Sequence, residues 1–530
     1  MNSFLTSLRA LTPDLLTSML RGIEKEGLRA TRDGMLALTP HPAGLGSALT
    51  HPHITTDFSE SQLELITGVH TTAQACEDEL TRIHQAVFSH LGDELMWGSS
   101  MPCRLPGNDD EIPLGRYGSS NVGRSKTIYR NGLAHRYGRR MQTISGIHYN
   151  FSLPQGAWSA LQAAGGGQGS VEAYRNAAYF SLIRNFRRHS WLLLCLFGAS
   201  PAVCRSFVSG RRHALSEFSA DTLYLPHATS LRMGPLGYQS EAQSALPVSY
   251  NSLRGYAQSL NKALTEPYAP YEAIGVRDGD DYRQLATTLL QIENEFYGTI
   301  RPKRSIRSGE RPLHALGERG VEYVEVRCMD IDPFQPVGIT AATMRFLDVF
   351  LLHCLLSDSP PDSPEEIASL VINQHRAADR GRDPQTRLVR QGDECSVREW
   401  GDQLLGECAP IAEALDQAHG GSAHTDALTS AARMLATPSL APSAQALTAM
   451  ARSHQRSYLK FALHQSVEHN RSLKASGGDT ATMARFETMA RESIAEQAAI
   501  EAADTIPFEA YRLKYLEQDL MDGGQFGLPA

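Results

Sequence analysis

The sequence has few of the features that mark disulfide-rich, membrane-spanning or nucleic-acid-binding proteins. Only eight of its 530 residues are cysteine, and no two of them form a C-x-x-C pair. Such scattered thiols exclude a disulfide scaffold and give no zinc or thioredoxin-type motif, so they favour a reducing compartment. The apolar runs at 192–197 and 350–356 are far shorter than the about 20 residues that span a bilayer.

The sequence also lacks a surplus of positive charge, because 50 Lys and Arg stand against 58 Asp and Glu and leave a net charge of −8. This balance offers no general attraction to nucleic acid or to an anionic membrane. Residues 1–10 lack the basic start and the apolar core of a signal peptide. We therefore expect a cytoplasmic protein without nucleic-acid or membrane partners, with ample length for a large globular core.

Two carboxylates stand close together in the stretch 21–29, where only Lys25 separates Glu24 from Glu26. If this stretch is a β-strand, its period of two puts both carboxylates on one face. Neighbouring anions repel each other and require a compensating cation, and hard carboxylate oxygens suit Mg²⁺ or Mn²⁺. The alternative is a solvated strand face that carries two charges.

Acidic residues recur on later segments that alternate like strands. Asp57 precedes the segment 62–66, in which apolar residues flank Glu64 and predict a second strand. The segment 321–327 also alternates and places Glu325 and Arg327 on one face, where a simple salt bridge is the structural alternative.

Polar residues are dense between 115 and 153, and basic residues are dense between 301 and 307. The stretch 117–124 is predicted to be a glycine-punctuated loop, and 141–151 is predicted to be a strand. The basic stretch either forms a solvated surface or neutralises a polyphosphate. One face of the predicted strand would carry polar groups around a glycine that leaves room for a ligand: Gln142, Gly146, His148 and Asn150.

These residues together resemble the bacterial glutamate–cysteine ligases, which make γ-glutamylcysteine in the first step of glutathione synthesis. The resemblance runs through ordered blocks from 21 to 334 and returns at 501–508, while 360–500 matches only loosely. The sequence ends without the ATP-grasp domain of fused bifunctional synthetases, so the single-activity type is expected. The residues that carry the resemblance are Glu24, Glu26, Asp57, Glu64, His148, Glu325 and Arg327.

The resemblance implies an α+β fold of the glutamine-synthetase type. A curved, mainly antiparallel sheet would form a funnel-shaped active site, with helices around it and a helical C-terminal region. The implied division is a catalytic core at 1–340 and, at 341–530, a helical region packed on that core. Within the latter, 409–503 is rich in alanine and holds no catalytic constellation.

The implied activity is the ATP-dependent ligation of the γ-carboxylate of L-glutamate to the amino group of L-cysteine through a γ-glutamyl phosphate. Mg²⁺ or Mn²⁺ would be the metal, ATP the co-substrate, and the protein a monomer. The implied metal ligands are Glu24, Glu26, Asp57, Glu64, His148 and Glu325.

The resemblance also assigns roles to residues around these ligands. Arg327 would act with Glu325 at the transferred phosphoryl group, and Arg130 and Arg232 would bind substrate carboxylates. Asn150, Lys303 and Arg304 would contact the nucleotide. The implied cysteine pocket consists of Phe58, Tyr129, Leu133, Gln142, Arg232, Tyr238 and Tyr297.

Three other interpretations compete with this one. A ligase of the same fold could use another amine or ammonia, and the pocket around Tyr129, Tyr238 and Tyr297 would decide this. A catalytically silent homologue could act as a binding protein, although the full acidic set argues against it. A nucleic-acid-binding role would rest only on 301–307 and the arginines at 205–212, against the acidic overall charge.

Overall fold

The computed structural model describes residues 2–237, 241–244, 246–307, 309–521 and 524–526. Tyr238, which the sequence assigns to the cysteine pocket, lies outside these residues. None of the described helices is long and apolar enough to cross a membrane.

Helices make up most of the described chain. The α-helices are α1 (Asn2–Ala10), α2 (Pro13–Thr17), α3 (Ala73–His90), α4 (Asn121–Tyr137), α5 (Gln155–Ala164), α6 (Val171–His189), α7 (Trp191–Phe197), α8 (Glu241–Ser244), α9 (Leu253–Thr265), α10 (Ala269–Glu272), α11 (Pro312–Arg319), α12 (Ala341–Leu356), α13 (Pro364–Arg380), α14 (Val397–His419), α15 (Ala423–Ala436), α16 (Pro442–Ser453), α17 (Tyr458–Ser476), α18 (Thr480–Ala503) and α19 (Phe508–Leu516).

The strands form one large antiparallel sheet and three small ones. The large sheet has the order β11-β12-β5-β1-β3-β2, with β4 also paired to β1. The strands are β1 (Leu20–Ala30), β2 (Ile54–Thr56), β3 (Gln62–Ile66), β4 (Leu95–Met96), β5 (Ile147–Ser152), β6 (Ala202–Cys204), β7 (Ser216–Ser219), β8 (Thr222–Tyr224), β9 (Arg277–Asp278), β10 (Asp281–Tyr282), β11 (Ile300–Lys303), β12 (Tyr323–Met329), β13 (Arg387–Arg390) and β14 (Asp393–Ser396).

The strand β1 lies in the middle of the large sheet and confirms the predicted alternation. Glu24 and Glu26 face a cavity on one side of the sheet. Lys25 points into the opposite side, where its Nζ lies 2.9 Å from Nε2 of His84. Both of these side chains are buried, and Ile23 is completely buried on the same side as Lys25.

The prediction of a strand over 141–151 is wrong in its first half. Met141–Thr143 is a 3-10 turn, and β5 begins only at Ile147. The strand ladder ends there because the Gly146 amide donates to the Glu26 side chain at 2.7 Å rather than to a neighbouring strand. A Cβ on Gly146 would lie 2.1 Å from Arg232 Nη2, so the glycine makes room for this arginine.

The predicted loop at 117–124 is wrong from Asn121 onward, because α4 begins there with Ser120 as its N-cap. Two glycines lie within this helix despite their low helix propensity. A Cβ on Gly123 would lie 2.1 Å from the Tyr117 carbonyl oxygen, and one on Gly132 would lie 2.2 Å from Gln291 Oε1. Close tertiary contacts therefore explain both glycines.

The helical C-terminal part packs on the sheet. α12 lies against α6 and α3, and nearly all of its side chains are buried. One cluster of buried apolar side chains extends from Leu8 to Phe526 and includes both parts of the chain. The proposed division at residue 340 therefore stays a prediction.

Candidate active site

A cavity of about 460 Å³ lies between one face of the large sheet and helix α4. All six residues expected to bind metal line it, together with Lys303, Arg327 and the described members of the expected cysteine pocket. Side chains separated by about 300 positions in the sequence thus meet in one place. The acidic residues among them are Glu24, Glu26, Asp57, Glu64 and Glu325.

The strand register brings the acidic groups around His148. The Cα atoms of Glu24 and His148 pair across β1 and β5, and those of Glu26 and Glu64 pair across β1 and β3. The Nδ1 atom of His148 lies 3.3 Å from Glu24 Oε2 and 3.7 Å from Glu325 Oε1. Its Nε2 atom lies 3.5 Å from Glu26 Oε1. One imidazole therefore contacts three carboxylates.

Burial and mutual repulsion oppose full ionisation of this cluster. Burial first, and then the charges of Glu24, Asp57 and Glu26, raise the pKa of Glu64 well above its usual value. Burial and Asp57 also raise the pKa of Glu26. Additional positive charge in the cavity would stabilise the ionised carboxylates and so lower these pKa values.

The donor set fits a hard divalent cation. Atoms of Glu24, His148 and Glu325 lie within 4.8 Å of one another, so three ligands could reach one ion. Glu325 Oε2 is buried without a hydrogen bond to any described residue, although Arg327 Nη1 lies 3.2 Å away outside hydrogen-bonding geometry. Several carboxylates with one imidazole suit Mg²⁺ or Mn²⁺ better than a soft metal.

Two cations lie at the edge of the acidic cluster. Lys303 Nζ is 3.4 Å from Glu325 Oε1, and Arg327 Nη1 is 3.3 Å from His148 Nδ1. Although burial opposes ionisation, Lys303 and Arg327 hold the pKa of Glu325 well below its usual range. The cavity thus combines anions for metal with cations suited to a phosphoryl group.

Comparison with known proteins identifies this arrangement. The family model for glutamate–cysteine ligase matches residues 5–377. The chain belongs to the glutamate–cysteine ligase family. Membership confirms the expected fold class and enzyme class, an ATP-dependent ligase of glutamate and cysteine.

Individual relatives resemble this ligase over nearly its whole length. The glutamate–cysteine ligase of Pseudomonas putida is 49% identical over 96% of this chain and 97% of its own. That of Alcanivorax borkumensis is 48% identical over 94% of this chain and 96% of its own. The crystal structure of the Francisella tularensis ligase in complex with AMP has a TM-score of 0.88 at 36% identity, covering 94% of this chain and 97% of that one.

A bifunctional glutathione synthetase from Pasteurella multocida shares the fold alone. It has a TM-score of 0.68 at 23% identity, and the match covers 92% of this chain but 57% of that one.

The described residues that are expected to form the cysteine pocket lie in the same cavity as the acidic cluster. Gln142 Nε2 donates a hydrogen bond of 2.8 Å to the Tyr297 hydroxyl. Arg232 Nη2 donates to the Arg327 carbonyl oxygen at 2.8 Å, and its Nη1 lies 3.8 Å from Asp330 Oδ1. The described members that line the cavity are Phe58, Tyr129, Leu133, Gln142, Arg232 and Tyr297.

Three residues that are expected to bind substrate or nucleotide make hydrogen bonds to the protein itself. Arg130 lines the cavity, but its guanidinium donates to the carbonyl oxygens of Asp57, of Lys126 at 2.9 Å and of Thr56 at 3.5 Å. Asn150 supports Glu24, because its Nδ2 donates to Glu24 Oε1 at 2.9 Å. Arg304 is not among the cavity-lining residues and donates to the Arg319 carbonyl oxygen.

Two cationic side chains that the sequence analysis did not single out also line the cavity. Lys126 lies on α4 one helical turn before Arg130, and burial together with that neighbour lowers its pKa to about 8. Arg301 lies on β11, two residues before Lys303, and its Cα pairs with that of Glu325. The period of two along a strand could have indicated Arg301, because it puts Arg301 on the same face as Lys303.

The segment 501–508, where the resemblance returns, makes hydrogen bonds to the N-terminus of α4. Glu501 Oε1 accepts a hydrogen bond of 2.7 Å from the Ser119 amide, and Asp504 accepts from the Asn121 amide. Carboxylates at a helix N-terminus satisfy free amides and interact favourably with the helix dipole. This contact fixes the helix that carries Tyr129 and Leu133.

Replacing Asp504 with Ala is expected to raise the KM for cysteine several-fold, because α4 loses a contact at the start of the helix that carries Tyr129 and Leu133, two residues of the expected cysteine pocket. The stability loss should be about 1 kcal/mol, as for other helix caps. Steady-state kinetics and thermal melting would measure both effects. Glu496→Ala on the exposed face of α18 is the matched control, and equal KM values in the two variants would contradict this role.

Proposed function

We propose that this ligase forms γ-glutamyl phosphate from glutamate and ATP, and then transfers the γ-glutamyl group to the amine of cysteine. The observation that carries the proposal is one cavity in which Arg327 and Lys303 border the acidic cluster around His148. The acidic cluster would hold divalent cations, and the arginine and lysine would receive the phosphoryl group.

The first step requires the γ-carboxylate oxygen of glutamate to attack the γ-phosphorus of ATP, with ADP as the leaving group. Arg327 would stabilise the charge on the transferred phosphoryl oxygens, because its guanidinium is held beside Glu325. Divalent cations, when bound, would neutralise the triphosphate and help to orient its terminal phosphate. Asn150 would keep Glu24 in place for this task.

In the second step the cysteine nitrogen would attack the γ-carbonyl carbon, the carbon–oxygen bond to phosphate would break, and the amine would pass one proton to the departing phosphate. The pocket residues would hold cysteine with its amine towards this carbon. Phe58 is 2% exposed and Leu133 is 7% exposed, so apolar side chains form part of the wall and limit hydrolysis of the intermediate. Arg232 would bind the cysteine carboxylate.

An assay of ADP release tests the proposal. The enzyme would receive ATP, Mg²⁺ and glutamate, with cysteine, 2-aminobutyrate, ammonia or no acceptor. We expect release that depends on cysteine and stops when Mg²⁺ is chelated. Release that is supported by ammonia alone would instead indicate a ligase of ammonia.

Isotope transfer tests the intermediate separately. Glutamate labelled with ¹⁸O in its γ-carboxylate should deliver one labelled oxygen to the phosphate product, because that oxygen forms the bond to phosphorus. Unlabelled phosphate would contradict an acyl phosphate. The monomeric state and the cytoplasmic location remain predictions.

A further inference from the structure

Arg301 is a buried cation without a carboxylate partner in the described part of the chain. Its side chain is 6% exposed and lines the cavity. Its Nη2 donates to the carbonyl oxygens of Phe296 and, at 3.0 Å, of Asn294. The Nε atom is buried and has no hydrogen-bond partner among the described residues.

Other arginines nearby have a carboxylate partner. Arg136 lies 2.9 Å from Glu295, Arg311 lies 2.9 Å from Glu293, and Arg327 lies 3.2 Å from Glu325. Burying a charge without a partner is strongly unfavourable, so such a group in a cavity indicates a ligand of opposite charge. Arg301 therefore has the properties of an anion-binding residue.

The backbone contacts of Arg301 hold its guanidinium in place before a ligand arrives. Both contacts use Nη2, whereas Nη1 makes no hydrogen bond to a described residue and is the donor that remains for a ligand. The Cα of Arg301 pairs with that of Glu325 across β11 and β12, next to the acidic cluster. An anion bound to Arg301 would thus lie next to Glu325 and the rest of the acidic cluster.

Besides the γ-carboxylate that is activated, the reaction involves three anionic groups that need cations: the phosphates of ATP and the α-carboxylates of glutamate and cysteine. Arg327 lies beside His148, and Arg232 lies near Asp330 in the proposed cysteine pocket. Arg130 donates mainly to backbone carbonyl oxygens. Of the two lysines in the cavity, Lys303 pairs with Glu325 and Lys126 lies next to Arg130. Among the cavity arginines of the described chain, Arg301 is the one left for the glutamate α-carboxylate.

We infer that Arg301 binds the α-carboxylate of glutamate and so sets the position of the γ-carboxylate at the acidic cluster. This inference rests on the proposed function, because it takes glutamate as the substrate that is activated.

The test measures how wild type and a variant without the Arg301 charge discriminate between each substrate and its analogue that lacks one carboxylate. Arg301→Met keeps much of the side-chain volume and removes the charge. Isoglutamine replaces the α-carboxylate of glutamate with a neutral amide, and cysteinamide does the same for cysteine. ADP release would be measured for wild type and variant with each substrate, and Arg398→Met on the exposed surface of α14 is the control.

In Arg301→Met, the KM for glutamate should rise about 10- to 100-fold, as expected for a lost hydrogen bond to a charged group. The KM values for cysteine and ATP should change by less than about twofold. The wild-type preference for glutamate over isoglutamine should disappear in the variant, whereas the preference for cysteine over cysteinamide should remain. Arg301→Lys, which keeps a charge, should show an intermediate preference for glutamate.

Several results would overturn the inference. One is an undiminished preference for glutamate over isoglutamine in Arg301→Met. Another is loss of the preference for cysteine over cysteinamide, which would assign Arg301 to the second substrate. If Arg301→Met does not fold, Arg301→Lys decides, and a wild-type preference for glutamate there would contradict the role. Absence of cysteine-dependent ADP release in wild type would instead refute the proposed function.

Discussion

Glu24→Gln is expected to reduce ADP formation by about 10³-fold while the protein stays folded. Glu24 lies on the central strand, where it contacts His148 at 3.3 Å and accepts a hydrogen bond from Asn150 at 2.9 Å. The amide keeps the shape of the side chain but removes one anion from the proposed metal site. Losses of this size follow removal of a single preorganised electrostatic contact in an active site.

The same substitution should change the stability of the metal-free protein far less than it changes activity. The charge of Glu24 helps to raise the pKa of Glu64 and so repels that neighbour. Although burial and Glu325 oppose the ionisation of Glu24, His148 and Lys303 hold the pKa of Glu24 itself below its usual value. Removing the charge therefore loses attraction and relieves repulsion at once, and a large loss of activity with little loss of stability is not expected of a merely structural residue.

ADP release at ordinary Mg²⁺ and thermal melting without metal would test both parts. Glu413→Gln, on the exposed face of α14, is the matched control and should retain wild-type values. Near-normal turnover in Glu24→Gln would contradict its assignment as a metal ligand. A large fall in melting temperature would show instead that Glu24 supports the fold.

Asp348→Ala is expected to destabilise the fold by about 3–5 kcal/mol. Asp348 lies on α12 and is 3.1 Å from Arg21 Nε on β1, and each side chain is almost completely buried. The Tyr149 hydroxyl of β5 also donates to Asp348 at 2.6 Å. Loss of the carboxylate would leave a buried guanidinium without its counter-ion and a buried hydroxyl without its acceptor.

Chemical denaturation of the wild type and the variant would measure this loss. Asp93→Ala is the control, because Asp93 is 96% exposed and pairs with Arg32 at 3.2 Å. Such an exposed pair contributes about 0–1 kcal/mol. The double variant Arg21→Met with Asp348→Leu should lose less than the sum of the single losses. A change below about 1 kcal/mol in Asp348→Ala would show that the pair does not hold α12 to the sheet.

The acidic cluster was predictable because strand geometry is local. A period of two places Glu24 with Glu26 and Glu325 with Arg327, whatever surrounds the strands. The structure confirms that these pairs face the cavity. The resemblance then related strands that lie far apart in the sequence, which alternation alone could not do.

The failures have a common physical cause. Gly123 and Gly132 weaken the helical pattern of α4, yet a Cβ on Gly123 would meet the Tyr117 carbonyl oxygen just before the helix, and one on Gly132 would meet the distant Gln291 side chain. The strand expected at 141–151 begins late because the Glu26 side chain takes the Gly146 amide. In each case a contact with a group outside the helix or strand overrides the local preference.

Arg301 illustrates the remaining limit. Each residue of a basic stretch could be solvent-exposed or could bind a ligand, because the sequence pattern does not show which side chains are buried. Only the tertiary structure shows that Arg301 is buried beside Glu325, whereas Arg304 contacts the Arg319 carbonyl oxygen away from the cavity.

The sequence by itself determined the strand faces and, through the resemblance, the family and the acidic residues that the cavity brings together, because alternation and residue chemistry are properties of the covalent chain. The tertiary structure decided which cations reach that set and what holds them. Lys303 of β11 contacts Glu325 of β12, and the carboxylates of 501–508 hold the helix that carries Tyr129 and Leu133. These placements depend on contacts between distant segments, and no local pattern encodes them.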